Sequence, residues 1–179
     1  KLNLSDSLAK FLPDFPNASK ITVEQLLFHK SGLPREISDY EKYDKLSLNQ
    51  AIDLARMESL VFEPNTQITY SNVGYFLLHY IIEKASGKSY FSFMKEDVFS
   101  KLKLENTFEY NNAADKNNFL FGFTNENDRI EATETKTINQ FETGNIITTI
   151  SDLYKFSQVI ISSKFISEKS KAVLFKTDS

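Results

Sequence analysis

Tyr70-Ser71-Asn72 lies inside the stretch TYSNVGYFLLHYIIEKASGKS (Thr69 to Ser89). It places a phenol and a carboxamide two positions apart, directly in front of a strongly apolar run. A tyrosine phenol ordinarily titrates near pH ~10 and becomes a general base only where adjacent cations lower that value. A carboxamide at the next-but-one position can donate to a substrate carbonyl while accepting from a lysine. Tyr70 and Asn72 are therefore candidate catalytic residues, with Ser71 between them a weaker candidate for substrate binding. The same triplet also has a purely structural meaning, a strand end followed by a helix start, with Ser71 or Asn72 as the N-cap. Local pattern leaves both meanings open.

Other chemistries fare worse. The chain contains no Cys, which excludes disulfides, thiolate catalysis and Cys-based zinc sites. No G-x-S-x-G elbow or H-E-x-x-H is present. Gly87-Lys88-Ser89 imitates the tail of a phosphate-binding loop, but Ile82 stands where that loop needs its first glycine. Of the two histidines, His29 is expected within a capped helix and His79 inside an apolar one, both in packing or surface roles. No metal and no cofactor is expected. Ser-x-x-Lys strings at Ser7/Lys10, Ser92/Lys95 and Ser100/Lys103 have the residue types of a nucleophile with a basic neighbour.

Composition bounds the partners. The 179 residues carry 21 Lys+Arg against 24 Asp+Glu with no long run of either sign, so no footprint for nucleic acid or an anionic membrane is visible. Hydrophobic residues at 41% and charged residues at 25%, with 16 Phe and 8 Tyr, are the proportions of a folded globular chain. No uninterrupted apolar stretch reaches spanning length, and no signal-peptide pattern opens at Lys1, so neither a membrane span nor a leader is expected within the chain.

The elements that must hold the triplet read mostly as helices. Leu4, Leu8, Phe11 and Leu12 suggest a short amphipathic turn closed by Pro13. Thr22-x-x-Gln25 and Ser47-x-x-Gln50 are capping boxes, the first opening a helix from Val23 to Lys30 that Gly32 and Pro34 end. The longest helix is expected from about Val73 to Ser86, with Gly87 as its left-handed terminal residue. Tyr90 to Leu102, Ile150 to Ile161 (capped by Thr149 or Ser151) and Ser167 to Phe175 complete the set. Strand signal is confined to Gln67 to Tyr70, Phe119 to Thr124 and Ile130 to Thr137, the last two able to pair as a hairpin, while Asn111 to Asn118 reads as loop.

Three ordered blocks carry a resemblance. ITVEQLLFHKSGLP (Ile21 to Pro34), FEPNTQITYSNVGYFLLHYIIEKASGKSYFSFMKEDVFSKLKLENT (Phe62 to Thr107) and TGNIITTISDLYKFSQVI (Thr143 to Ile160) resemble the serine β-lactamase and penicillin-binding-protein superfamily. The class C-like branch, with its related esterases and D-aminopeptidases, is the nearest in pattern. The resemblance implies that Tyr70 is a proton shuttle for nucleophile and leaving group, and that Asn72 is a hydrogen-bond partner of substrate and of a lysine. It implies a parent serine hydrolase that acts through an acyl-enzyme on a β-lactam, a D-alanyl peptide or a small ester, exported to the periplasm or the cell exterior.

The family's other two elements find no match in this chain. The Ser7 string lies in LNLSDSLAKFLPDFP, which resembles the segment following the nucleophile helix, and the other two strings come after Tyr70, in the wrong order. Lys176-Thr177 is followed by Asp178 where the site-bordering strand needs Gly, and Gly144-Asn145-Ile146 is poorer in glycine than its counterparts. The expected fold is therefore mainly α with a few short strands. It would be the helical lobe of the β-lactamase/transpeptidase-like α+β fold, with residues 1–179 one helical subdomain lacking the nucleophile helix and most of the antiparallel sheet. Such a piece is expected to be inactive alone and able to self-associate through its sheet-facing surface. The alternative is a non-catalytic helical module of the same shape, used for binding or sensing.

Overall fold

Fifteen residues from Asn72 to Ser86 form the longest helix, α3, because both of its ends and its buried face are encoded locally. Ser71 is the N-cap, its hydroxyl accepting the Gly74 N–H at 3.0 Å, and Gly87 at φ 71° closes the other end. Val73, Phe76, Leu77 and Ile81 turn inward at helical spacing, and each is nearly inaccessible to water. In the computed structural model the described residues are 2–39, 42–43, 46–109, 123–126, 129–132, 146–162 and 165–175. They fall into two compact units, residues 1–90 with 116–145 and residues 91–115 with 146–179. Asn111 to Asn118, Gly144 and Lys176 to Asp178 lie outside the described residues.

In the first unit α3 packs against α1 (Val23–Leu27) and α2 (Leu48–Ala55). Both short helices open with the expected capping boxes: Thr22 with Gln25, and Ser47 with Gln50. Leu8, Ile21, Leu26, Leu77 and Ile81 form the centre of the core, each removal from water contributing about 1.5–3 kcal/mol. The expected short turn is present as a 3-10 turn, Leu8–Lys10; Asn17 is left-handed at φ 58°, and Ser7 pairs with Thr22 across a bridge. α1 ends three residues earlier than expected, at Leu27. Lys30 N–H bonds to Gln25 C=O at 2.7 Å and His29 N–H to Leu26 C=O at 3.3 Å, a Schellman closure with His29 in the left-handed position at φ 56°. The expected strand at 67–70 is absent. That segment is single and exposed, pinned through Thr69 N–H to His29 C=O at 3.0 Å. The expected hairpin is present among the described residues as β2 (Phe123–Glu126) paired antiparallel with β3 (Arg129–Ala132).

The second unit begins within a rod expected to be one α-helix. The rod runs as α4 (Tyr90–Phe93), a π-helical stretch (Met94–Phe99) and α5 (Ser100–Leu102). Ser100 bonds back to Lys95 C=O with both its N–H and its hydroxyl, the latter at 2.7 Å, which holds the wider turn. β1 (Phe108–Glu109) pairs with β4 (Ile146–Ile147), a contact no local signal announced. α6 (Ile150–Ser162), whose Asp152 N–H bonds to Thr149 Oγ1, and α7 (Glu168–Leu174), capped by Ser167, follow as expected.

Asp152, wholly buried, ties this unit together. It accepts the Lys155 ammonium at 2.9 Å, the Asn106 N–H at 2.7 Å and the Thr107 hydroxyl at 3.1 Å. The Lys155 bond, helped by the other two, holds the carboxyl below its ordinary value against the opposing effect of burial. The unfolded chain then binds the proton more readily than the folded one, so stability rises with pH through this window. The contribution is complete above the ordinary carboxylate range, near pH ~4, and is lost as pH falls through and below it. Urea unfolding of wild type and Asp152→Asn should show a clear midpoint difference at pH 7 that shrinks at pH 3. An equal gap at both values would refute the assignment.

Candidate active site

The triplet is held from one side by a single segment, residues 29–36. Ser71 is 1% exposed and used at both ends: its N–H donates to His29 Nδ1 at 3.2 Å, its hydroxyl to Pro34 C=O at 2.7 Å. Asn72 donates its backbone N–H to Arg35 C=O at 2.9 Å and its side-chain Nδ2 to Glu36 Oε1 at 2.5 Å. That bond engages one of the two side-chain N–H groups of the Asn72 amide, which also has a second N–H and an acceptor oxygen. Tyr70 differs from both in being 54% exposed. Its ring meets the His29 ring at 4.7 Å between centroids, and the Arg35 guanidinium lies 5.6 Å from the ring centre, within cation–π range.

Gly32 makes this segment possible. At φ 79° it takes a conformation that side chains resist, and a Cβ there would stand 2.1 Å from the Phe62 carbonyl oxygen. The close approach is locked on both sides by Val61 N–H to Gly32 C=O at 2.8 Å and Asn65 N–H to Lys30 C=O at 2.7 Å.

Tyr70 and Asn72 open onto a cavity of about 420 Å³ within the first unit. Its walls are mainly aliphatic and aromatic, among them Val23, Leu27, Tyr75, Leu78 and Tyr90. Burial pushes the Tyr75 phenol above its ordinary value, with Tyr70 adding to the shift, and burial alone does the same for Tyr90. Tyr75 donates to Leu27 C=O at 3.3 Å. A carboxamide at the edge of an apolar cavity can donate a hydrogen bond to a carbonyl group of modest size, and a phenol beside it can exchange a proton with an attacking or leaving N or O atom.

The remaining sequence candidates lie elsewhere. His79 is buried in α3, its ring stacked on Tyr90 at 4.4 Å and its Nε2 3.4 Å from Glu83, the packing role expected of it. Lys10 directs its ammonium to Asp6 at 2.8 Å, and the Ser100 hydroxyl goes to a backbone carbonyl. Among the described residues no cluster of His, Asp or Glu has the arrangement of a metal site. What sequence reasoning missed is the role of His29. Expected inside a helix, it stands beyond the helix end against Tyr70. The only signal was its place between Leu27 and Gly32, where a helix must stop.

Similarity to known proteins spans the chain. A family model described as Beta-lactamase matches residues 1–176. Penicillin-binding protein 4* of Bacillus subtilis (strain 168) is 33% identical over 195 residues, covering 97% of this chain and 43% of that protein. Teichoic acid D-alanine hydrolase of Staphylococcus aureus (strain MRSA252) is 25% identical over 170 residues, 94% of this chain and 42% of that one. The solved structure of D-amino acid amidase from Ochrobactrum anthropi SV3 complexed with D-phenylalanine shares the fold at a TM-score of 0.80 with 23% identity, over 96% of this chain and 53% of that chain. FmtA from Staphylococcus aureus superposes at a TM-score of 0.82 with 25% identity, over 97% and 49%. The chain thus spans about half the length of the proteins it matches. The chain belongs to the Beta-lactamase family, within the serine β-lactamase and penicillin-binding-protein superfamily.

Proposed function

We propose that the full-length protein is a serine hydrolase working through an acyl-enzyme, and that this chain supplies its Tyr70 and Asn72. The observation that carries the proposal is the exposed Tyr70 phenol beside the Asn72 amide at the mouth of an apolar cavity. In this scheme a lysine from outside the chain keeps Tyr70 as the phenolate, a serine also from outside attacks the substrate carbonyl carbon, and the serine proton passes to the phenolate oxygen. The same proton then goes to the leaving nitrogen or oxygen as the C–N or C–O bond breaks. Water repeats the sequence to release the acid and restore the serine. Asn72 holds the substrate carbonyl through its side-chain N–H not engaged by Glu36, and Ser71 acts as the buried pin beneath them.

Substrates of this reading are a β-lactam, a D-alanyl peptide or a small ester. The names of the relatives, penicillin-binding, teichoic acid D-alanine hydrolase and D-amino acid amidase, support that range. The same reading puts the full-length protein in the periplasm or outside the cell; among the described residues no helix is long and apolar enough to cross a membrane. The full-length protein should release product from nitrocefin or a p-nitrophenyl ester and accumulate a covalent acyl-enzyme visible by mass spectrometry. The 179-residue chain alone should do neither. Turnover by the chain alone would overturn the division of labour proposed here.

A further inference from the structure

His29 holds the C′ position of the Schellman closure of α1, at φ 56°, where glycine is the ordinary residue and a side chain is carried against the backbone's preference. What that side chain does is visible in three contacts. Its Nδ1 accepts the Ser71 N–H at 3.2 Å, and its ring lies 4.7 Å from the Tyr70 ring and 5.0 Å from the Tyr75 ring, stacked on the latter at 23°. A fourth contact comes from its backbone, whose carbonyl accepts the Thr69 N–H at 3.0 Å. The N–H groups of the two residues that flank Tyr70, Thr69 and Ser71, are therefore bonded to the same residue, once through the main chain and once through the imidazole.

We infer that His29 is the positioning residue of Tyr70, holding the phenol at the cavity mouth only while its imidazole is neutral with the proton on Nε2. This inference rests on the proposed role of Tyr70 in proton transfer. An Nδ1 that accepts from an N–H cannot carry a proton itself, so protonation would set two donors against each other and release residue 71. The rings against the imidazole are those of Tyr70 and Tyr75; the Arg35 guanidinium lies over the Tyr70 ring, the Glu36 carboxylate bonds Asn72, and Lys30 is next in sequence. Burial holds the imidazole below its ordinary value, which keeps the accepting form in place at neutral pH. Tyr70 should accordingly be set in place above that titration and set free as pH falls through it.

Two substitutions separate positioning from packing. His29→Gly suits the left-handed backbone but deletes ring and acceptor. His29→Asn also tolerates that backbone and offers Oδ1 near the place of Nδ1. In the full-length protein, with nitrocefin or p-nitrophenyl acetate as probe, His29→Gly should keep its Tm, lose about 10- to 100-fold in kcat and hold KM. His29→Asn should recover most of the kcat and abolish the acid limb of the kcat profile. In 15N-labelled chain the Ser71 amide should shift with the imidazole titration, at a midpoint below ~6.5, and stay still in His29→Asn. A Ser71 amide indifferent to that titration, or a folded His29→Gly with wild-type kcat, would defeat the inference. Full activity in Tyr70→Phe would defeat the proposed function instead, while leaving the Ser71 result to stand as a statement of geometry.

Discussion

Tyr70→Phe in the full-length protein should lower kcat by about 10²- to 10⁴-fold, the range that one positioned proton-transfer group supplies, with KM and Tm close to wild type. The substitution removes a single oxygen. The ring contacts that place residue 70, the imidazole of His29 at 4.7 Å and the guanidinium of Arg35 at 5.6 Å, involve the aromatic face and survive it. Residue 70 is more than half exposed, so no core is disturbed and no buried partner is orphaned. A fall in kcat can then be assigned to the lost phenol. The readout is a single-turnover acylation rate beside a thermal melt, and acylation at the wild-type rate in a folded Tyr70→Phe protein would remove Tyr70 from the mechanism.

Gly32→Ala is expected to destabilise the first unit by about 2–4 kcal/mol, from left-handed strain of about 1 kcal/mol added to the disruption of backbone hydrogen bonds at about 1–3 kcal/mol. A methyl group at this position meets the Phe62 carbonyl oxygen at 2.1 Å, and the atom it meets is backbone, with no rotamer to swing aside. Moving Phe62 away pulls on the neighbouring bonds, Val61 N–H to Gly32 C=O and Asn65 N–H to Lys30 C=O. Because the same segment carries the acceptors for Ser71 and Asn72, damage at residue 32 spreads to the candidate site. Urea unfolding followed by far-ultraviolet circular dichroism measures the loss. A change of under about 1 kcal/mol, the scale of an ordinary surface substitution, would show that the close approach is not held as tightly as described.

What the sequence made legible was local. Both capping boxes and the full extent of α3 could be read because the bonding partners stand three or four residues apart: Thr22 with Gln25, Ser47 with Gln50, Ser71 with Gly74. The end of α1 was misjudged because Gly32 looked like the stop, whereas His29 takes the left-handed turn and Gly32 serves a different purpose against Phe62. The pairing of Phe108 with Ile147 and the π-helical stretch left no trace in apolar periodicity. At the site, Tyr70 and Asn72 stood out through the resemblance of their surrounding block. Their holders, His29 and Glu36, did not, because the contacts between them exist only in three dimensions.

The hydrogen bonds from Ser71 to His29, from Ser71 to Pro34 and from Asn72 to Glu36 join residues 42, 37 and 36 positions apart in the chain. Closing a loop of that size carries an entropic penalty that helix formation alone does not return, so these bonds form only once α1, α2 and the N-terminal end of α3 have docked. A collapsed intermediate with all its helices in place would still have no site. The role proposed for Tyr70 thus depends on long-range docking and not on local helix formation alone.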